Sequence, residues 1–210
     1  MERVGAGAWV PRDGGLPALR RAAPDCRGCE LWQDATQVVF SKGRATARIV
    51  LVGEQPEEDR VGEPFVGPAG RLLAKAVAEA GIDEDDVYVT NAVKHFRFER
   101  RGKRRIHEKP GVAHITACAP WLEAELAVVR PAVVVCLGAT AARSVLQRPV
   151  TIGAVRGHIL DEGATDAAVL VTTHPSALLR IRDHADRDAA FAALVADLRT
   201  AADFAGVSAP

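Results

Sequence analysis

Aromatic side chains make up only 5% of this 210-residue chain, and neither sign of charge prevails, since 27 Lys and Arg are balanced by 27 Asp and Glu. A formal net charge of zero argues against a surface coated in positive charge that would hold any polyanion. No stretch approaches the roughly 18 apolar residues of a membrane span, and the N-terminus lacks the basic-then-apolar order of a secretory leader. The chain is therefore expected in the cytoplasm, away from membranes. That compartment is reducing, so the four cysteines should be thiols or metal ligands rather than disulfides. With 48% hydrophobic residues the chain can bury a core, which argues against disorder except at the ends. Its length suits one domain and is too short for two ordinary ones. Residues 16–203 are assigned to that domain, with 1–15 and 204–210 as flexible ends.

Short β-branched apolar runs at 48–52, 87–90, 132–137 and 168–173 read as buried strands. Helical patterns lie between and after them, at 69–80, 113–130, 139–146 and 186–202, and residues 155–161 are a candidate further strand. Strand and helix alternate, which predicts an α/β single domain with a mainly parallel central sheet flanked by helices on both faces. Ligands of such sheets bind beyond the carboxyl ends of the strands. The segments to inspect are then Gly53-Glu54-Gln55-Pro56, Asn91-Ala92-Val93-Lys94, Gly138-Ala139-Thr140 and His174-Pro175-Ser176.

Charge is neutral in sum but not in distribution. Between Lys94 and Lys109 stand Lys94, Arg97, Arg100, Arg101, Lys103, Arg104, Arg105 and Lys109, against Glu99 and Glu108. This basic loop suits a local polyanion contact, although such runs are as often solvated surface. Cys26-Arg27-Gly28-Cys29 has the spacing that lets two thiolates share a metal centre. A redox pair of the thioredoxin kind would sit at a strand-to-helix junction, whereas this motif precedes the first strand. Cys118, within a helical pattern, can add a third ligand; Cys136, inside an apolar strand, reads as core.

Taken in order, Cys26 to Cys29, Gly53 to Pro56, Pro64-Phe65-Val66-Gly67, Asn91 to Lys94 and His174 to Ser176 resemble the iron-sulfur uracil-DNA glycosylases over about residues 26 to 200. Where members that release their DNA carry a cluster cysteine after the Asn-x-Val-Lys element, this chain has His95. With Lys103-Arg104-Arg105-Ile106-His107 downstream it is similar to the UdgX branch of that group. The resemblance implies a uracil-DNA glycosylase-like fold and a [4Fe-4S] cluster on Cys26, Cys29, His95 and Cys118. Three Cys and one His would also suit zinc. The Glu57-Glu58-Asp59 stretch departs from the family loop in being about two residues shorter.

The resemblance also implies roles at the site. A base must leave the stack to be processed; Phe65 would stack on the flipped uracil, Asn91 would meet its O4 and N3–H, and Gly53 and Gln55 would border it. His174 would donate to O2 and stabilise the departing anion. Glu54, with Gln55 and Asp59, lies where a carboxylate either favours the cationic sugar or orients a nucleophile. His107 would attack C1′ in place of water, leaving the protein on the abasic strand, with nearby Lys103, Arg104 and Arg105 holding phosphates and favouring a neutral imidazole. Ser176 and Arg180 would contact DNA. The expected partners are uracil-containing DNA, single- or double-stranded, and free uracil, with the chain a monomer. Two other functions stand beside this one: a multiple-turnover glycosylase in which His107 only contacts DNA, and a non-catalytic binder of lesions or single strands.

Overall fold

The computed structural model describes residues 5–57, 59–161 and 166–207. Within them the order is α1 (Gly15–Ala22), β1 (Ser41–Lys42), β2 (Ile49–Gly53), α2 (Pro68–Glu79), β3 (Val87–Asn91), β4 (Phe98–Arg101), β5 (Arg104–His107), α3 (Val112–Val129), β6 (Val133–Leu137), α4 (Ala139–Leu146), α5 (Ile152–Val155), β7 (Ile159–Leu160), β8 (Ala168–Thr172), α6 (Pro175–Leu178) and α7 (His184–Ala205). The main sheet runs β1-β3-β2-β6-β8-β7. Its four inner strands are parallel and its two edge strands antiparallel.

The four apolar runs are the four parallel strands. Successive side chains point to opposite faces of a strand, and both faces are covered. Val50, Val52, Val134, Cys136 and Val169 join residues of α1, α3 and α4 in one core. Ile49, Leu51, Val133, Leu137 and Leu170 join residues of α2, α6 and α7 in the other. That double burial is why these strands are continuously apolar rather than alternating. Cys136 is fully buried in the first core, which is the place its apolar neighbours indicated.

Four segments differ from the sequence reading. The basic stretch is not a loop: β4 and β5 form a separate two-stranded hairpin, with Phe98 paired to His107 and Arg101 to Arg104. The candidate strand at 155–161 is the two-residue β7, preceded by a lone bridge from Arg156 to Val171. The N-terminal segment is seated from Gly5 onward, where the Gly5 N–H donates to the Gly28 carbonyl at 3.1 Å and Ala6 is buried in the first core. At the other end α7 continues to Ala205, and Val207 packs on the second core. Residues 1–4 and 208–210 of the ends, and Glu58 of the acidic stretch, lie outside the described residues.

α3 also departs from expectation. With 18 residues and a mean hydropathy of 1.3 it has the length and composition of a membrane span. Half of it is buried inside the protein, with Trp121, Leu122, Leu126 and even Glu125 packed beneath the sheet. A helix that is apolar because it lies in a core passes the same test.

The chain steps from β2 to β3 on one side and later places β6 on the other, so the strand order reverses between β2 and β6. The crevice at that reversal is where ligands of such sheets are held. Register puts Gly53 beside Asn91 and Leu137 beside Thr172. The four strand-end segments therefore meet over one crevice.

Candidate active site and thiol cluster

At the crevice Asn91 ends β3 with 1% of its surface exposed, and neither its Nδ2 nor its Oδ1 has a partner among the described residues. A buried amide left unpaired costs about 1–3 kcal/mol per group. Such a cost is tolerated where a ligand completes the pairing. The position of the amide is set by Gly53 opposite: a Cβ there would lie 2.3 Å from Asn91 Oδ1 and 2.6 Å from Phe65 Cζ. Phe65 adopts a φ of 57°, a left-handed conformation unusual for a bulky residue. Its backbone is admitted only because residue 70 is glycine, where a Cβ would sit 1.5 Å from the Phe65 carbonyl oxygen. Held this way, the Phe65 ring lies 6.0 Å from the His174 ring at 26°.

His174 caps the short α6. Its Nδ1 accepts the Ser176 backbone N–H at 3.1 Å and lies 2.9 Å from Ser176 Oγ. With Nδ1 accepting, the proton of a neutral ring belongs on Nε2. The ring is neutral because its pKa is pushed down to about 4, first by burial, against the pull of Glu54, with Arg180 and His107 adding to the depression. Neutral with an Nε2–H, it is a donor suited to an acceptor that gains negative charge.

Glu54 spans the strand-order reversal. Thr140, at the start of α4, donates to its Oε2, and its Oε1 stands 3.6 Å from His107 Nε2. Thr140 belongs to one of the strand-end segments marked in the sequence, but its bond to Glu54 becomes visible only once β2 and β6 are known to be neighbours.

The hairpin that carries His107 is anchored, and three residues expected at the substrate do the anchoring. Gln55 donates from Nε2 to the Arg97 and Glu108 carbonyls, both at 3.1 Å, and accepts the Arg97 N–H at 3.1 Å. Its side-chain amide is committed to the hairpin base rather than to substrate. Asp59, fully buried, accepts the Thr36 N–H at 2.7 Å, and its Oδ1 is ion-paired with Arg105 at 2.7 Å. Arg105 in turn lies over the rings of Phe96 and Phe98, at 5.4 and 4.9 Å. Its guanidinium is thus turned inward, not toward phosphates. Lys103 and Arg104 are exposed at the hairpin tip, and Arg180 is exposed beyond α6. Beside Arg180, Leu179 is an exposed large apolar residue, at 47%.

Lys94 does not belong to the basic surface at all. It is 1% exposed, donates to Thr90 Oγ1 at 2.5 Å and to the Asn91 carbonyl at 3.0 Å, and is paired with the fully buried Glu125. Glu125 also accepts from Tyr88 at 2.8 Å and Thr90 at 2.9 Å. Each member of this network has partners, which is what makes a charge pair tolerable inside a core. It fixes the strand end on which Asn91 sits.

Beneath the crevice, Cys26, Cys118 and His95 are buried and Cys29 is partly so. The thiol of Cys118 is held up at about 12, mainly by burial, with Lys94 opposing and the neighbouring Cys29 and Cys26 adding to the rise. His95 is pushed down to about 4, by burial first and by Arg27 next. Two N–H groups point at sulfur: Trp121 Nε1 at Cys26 (3.2 Å) and the Lys94 amide at Cys118 (3.4 Å). No trio of His, Cys, Asp or Glu among the described residues is arranged to hold a single metal ion. The donor set and its N–H···S bonds nevertheless fit a thiolate-bound centre, whose charge such bonds stabilise.

Fold and site together define a one-domain α/β protein in which Glu54, Asn91 and His174 are brought together at the strand-order reversal. The model of the uracil DNA glycosylase superfamily matches residues 40–199, and the chain belongs to that superfamily. It is 40% identical to a Type-4 uracil-DNA glycosylase of Thermotoga maritima, over 76% of this chain and 80% of that one. It is 34% identical to a Type-4 enzyme of Archaeoglobus fulgidus (78% and 83% covered) and 31% identical to a Type-5 uracil-DNA glycosylase of Pyrobaculum aerophilum (78% and 76%).

Proposed function

We propose that this protein excises uracil from DNA and that His107 then captures C1′ of the sugar, leaving the chain bonded to an abasic strand. The excision reading rests on Asn91. Its unpartnered donor and acceptor match the O4 acceptor and N3–H donor along one edge of uracil. Phe65 offers a face for the flipped ring, and His174 offers Nε2–H to O2. When the bond from C1′ to N1 breaks, its electron pair leaves with uracil and C1′ becomes cationic. His174 stabilises the leaving anion and Glu54 the cation.

Capture rests on the spacing of His107 and Glu54. A ring nitrogen lone pair forms the new bond to C1′, the imidazole becomes positively charged, and Glu54 at 3.6 Å offsets that charge and can accept the ring proton. Lys103, Arg104 and Arg180 serve the DNA backbone, Leu179 is an apolar wedge beside the vacated stack, and Ser176 positions His174. Cys26, Cys29, His95 and Cys118 hold a [4Fe-4S] cluster. When bound, the group acts as a cross-link joining the N-terminal turn to the end of β3 and to α3. A multiple-turnover hydrolase, with Glu54 aligning water, is the second reading, favoured by the Type-4 relatives.

The test is one denaturing gel, with free uracil measured in parallel, on a uracil-containing oligonucleotide. Wild type should give uracil and a shifted protein band, and His107→Ser uracil without the shift. Uracil without a shifted band from wild type establishes the hydrolytic reading instead, and the absence of uracil sinks both.

A further inference from the structure

Next to the Glu54 side of the crevice lies a second concavity. It encloses about 170 Å³ and is lined by Lys109, Pro110, Val112, Ile115, Ala139, Thr140, Arg143, Pro149 and Val150. Two of these residues tie it to the reaction site: Thr140 donates to Glu54, and Lys109 follows His107 by two positions. Two others give it charge. The Lys109 ammonium is on an exposed residue and the Arg143 guanidinium on a half-buried one. Both residues line the cleft, no carboxylate is among its lining residues, and among the described residues neither side chain is used in the kind of ion pairs and hydrogen bonds that occupy Arg97, Arg101 and Arg105. The remaining wall is apolar, formed by Pro110, Val112, Pro149 and Val150, with Val112 half exposed.

We propose that this cleft is a subsite for a DNA backbone phosphate, with Lys109 and Arg143 pairing the phosphodiester next to the flipped nucleotide and the apolar wall taking its sugar. The inference rests on the DNA-processing reading above. A strand whose C1′ stands at His107 must carry its next phosphate within one nucleotide, and this cleft is one residue, Thr140, away from Glu54. Two cations without an ion-pair partner among the described residues, beside an apolar wall, match a group that is anionic on one side and carbon-rich on the other. The basic stretch from Lys94 to Lys109 supplies less surface charge than its sequence implies, because Lys94 and Arg105 are spent internally. Positioning contacts to phosphate therefore have to come from elsewhere on the same rim.

The test uses a single-stranded oligonucleotide with thymine in place of uracil, so that binding is read without excision or capture. Its dissociation constant is measured from low to high KCl for wild type, Lys109→Gln, Arg143→Gln, the double variant, and Lys75→Gln as a control on α2, where the ammonium lies over Phe191. Loss of one single-strand phosphate contact should flatten the slope of log affinity against log salt by about 0.7. The double variant should show that change and each single variant part of it, with Arg143→Glu weakening binding further. Melting curves superimposed on wild type show that these proteins are folded. An unchanged slope in the double variant overturns the subsite, and so does an equal flattening in Lys75→Gln, which would mark a diffuse field rather than a site. Failure of the excision reading appears separately, as wild type that releases no uracil from uracil-containing DNA.

Discussion

The packing around Gly53 makes replacement by alanine the sharpest probe of the pocket. No left-handed φ is required at this position, so alanine meets no backbone penalty and the whole effect must come from its methyl group. That carbon would lie 2.3 Å from Asn91 Oδ1, 2.6 Å from Phe65 Cζ and 2.9 Å from Phe65 Cε2, against an ordinary contact of at least 3.4 Å. The amide therefore has to withdraw by about 1 Å, and displacements of that size typically cost about 100-fold in rate when they misalign a reacting group. Overpacking of this kind costs about 1–3 kcal/mol of stability, which for a chain this long lowers the melting temperature by about 2–4 °C per kcal/mol. The protein should stay folded at 25 °C while single-turnover uracil release falls by about two orders of magnitude. The assay is rapid-quench release of uracil from a saturating oligonucleotide, beside a thermal melt. Release close to the wild-type rate from a folded Gly53→Ala protein would refute the placement of Asn91 and Phe65 against the substrate.

Three further outcomes follow from the same geometry. Asn91→Ala should depress excision strongly while costing little stability, because the cavity it leaves is partly offset by removing two unpaired polar atoms; a melting temperature that collapses with activity would mean a structural asparagine. Cys26→Ala, Cys29→Ala or Cys118→Ala should each lose brown colour and bound iron, whereas Cys136→Ala, fully buried in the first core, should keep both; a colourless wild type with stoichiometric zinc would defeat the iron assignment. His174, held near 4 and therefore below its unfolded value of about 6.5, binds fewer protons folded than unfolded across that window, so its contribution to stability is full above about 6.5 and is lost as pH falls toward 4. Uracil release by His107→Ser should accordingly show no loss through pH 6.5 assignable to His174, and a loss centred there that vanishes in His174→Gln would contradict the buried, neutral ring.

Much of the fold was legible because double-sided burial writes itself into sequence as unbroken apolar runs, and all four such runs are parallel strands. The candidate site was legible wherever a polar side chain ends or follows a strand: Glu54, Asn91 and His174 are brought together because their strands are. What was not legible depends on pairing at a distance. Thr140 stands in a segment the sequence marks as a strand end, but its partner Glu54 cannot be read until β6 is known to lie beside β2. Lys94 counts as one more basic residue until its side chain is seen reaching back to Thr90 and across to Glu125, 31 positions away. A hairpin signal was present between Phe98 and His107. Gly102 and Lys103 form a two-residue connection, and Gly102 adopts a φ of 60°, as tight hairpins require at that place; the density of charge hid the alternation.

That alternation decides what the basic hairpin can do. Residues two apart on a strand share a face, so Arg105 and His107 lie on one side of β5 and Arg104 and Ile106 on the other. On the first face Arg105 is turned to the protein, meeting Asp59 and the two phenylalanine rings, while the exposed His107 has its ring 6.0 Å from that of Phe96. The second face is exposed. Adjacent arginines should therefore fail differently. Arg104→Gln should weaken DNA binding and flatten its salt dependence while the melting temperature holds, since it removes only a solvated cation. Arg105→Gln strands a fully buried carboxylate, and breaking a buried pair in this way costs about 3–5 kcal/mol. The cost falls on the anchor of the strand that carries His107, so the covalent yield should drop along with stability even at low salt, where phosphate contacts are strongest. If the two variants instead show the same salt-dependent loss of binding and unchanged melting, Arg105 faces DNA and the inward face of the hairpin has been assigned to the wrong side.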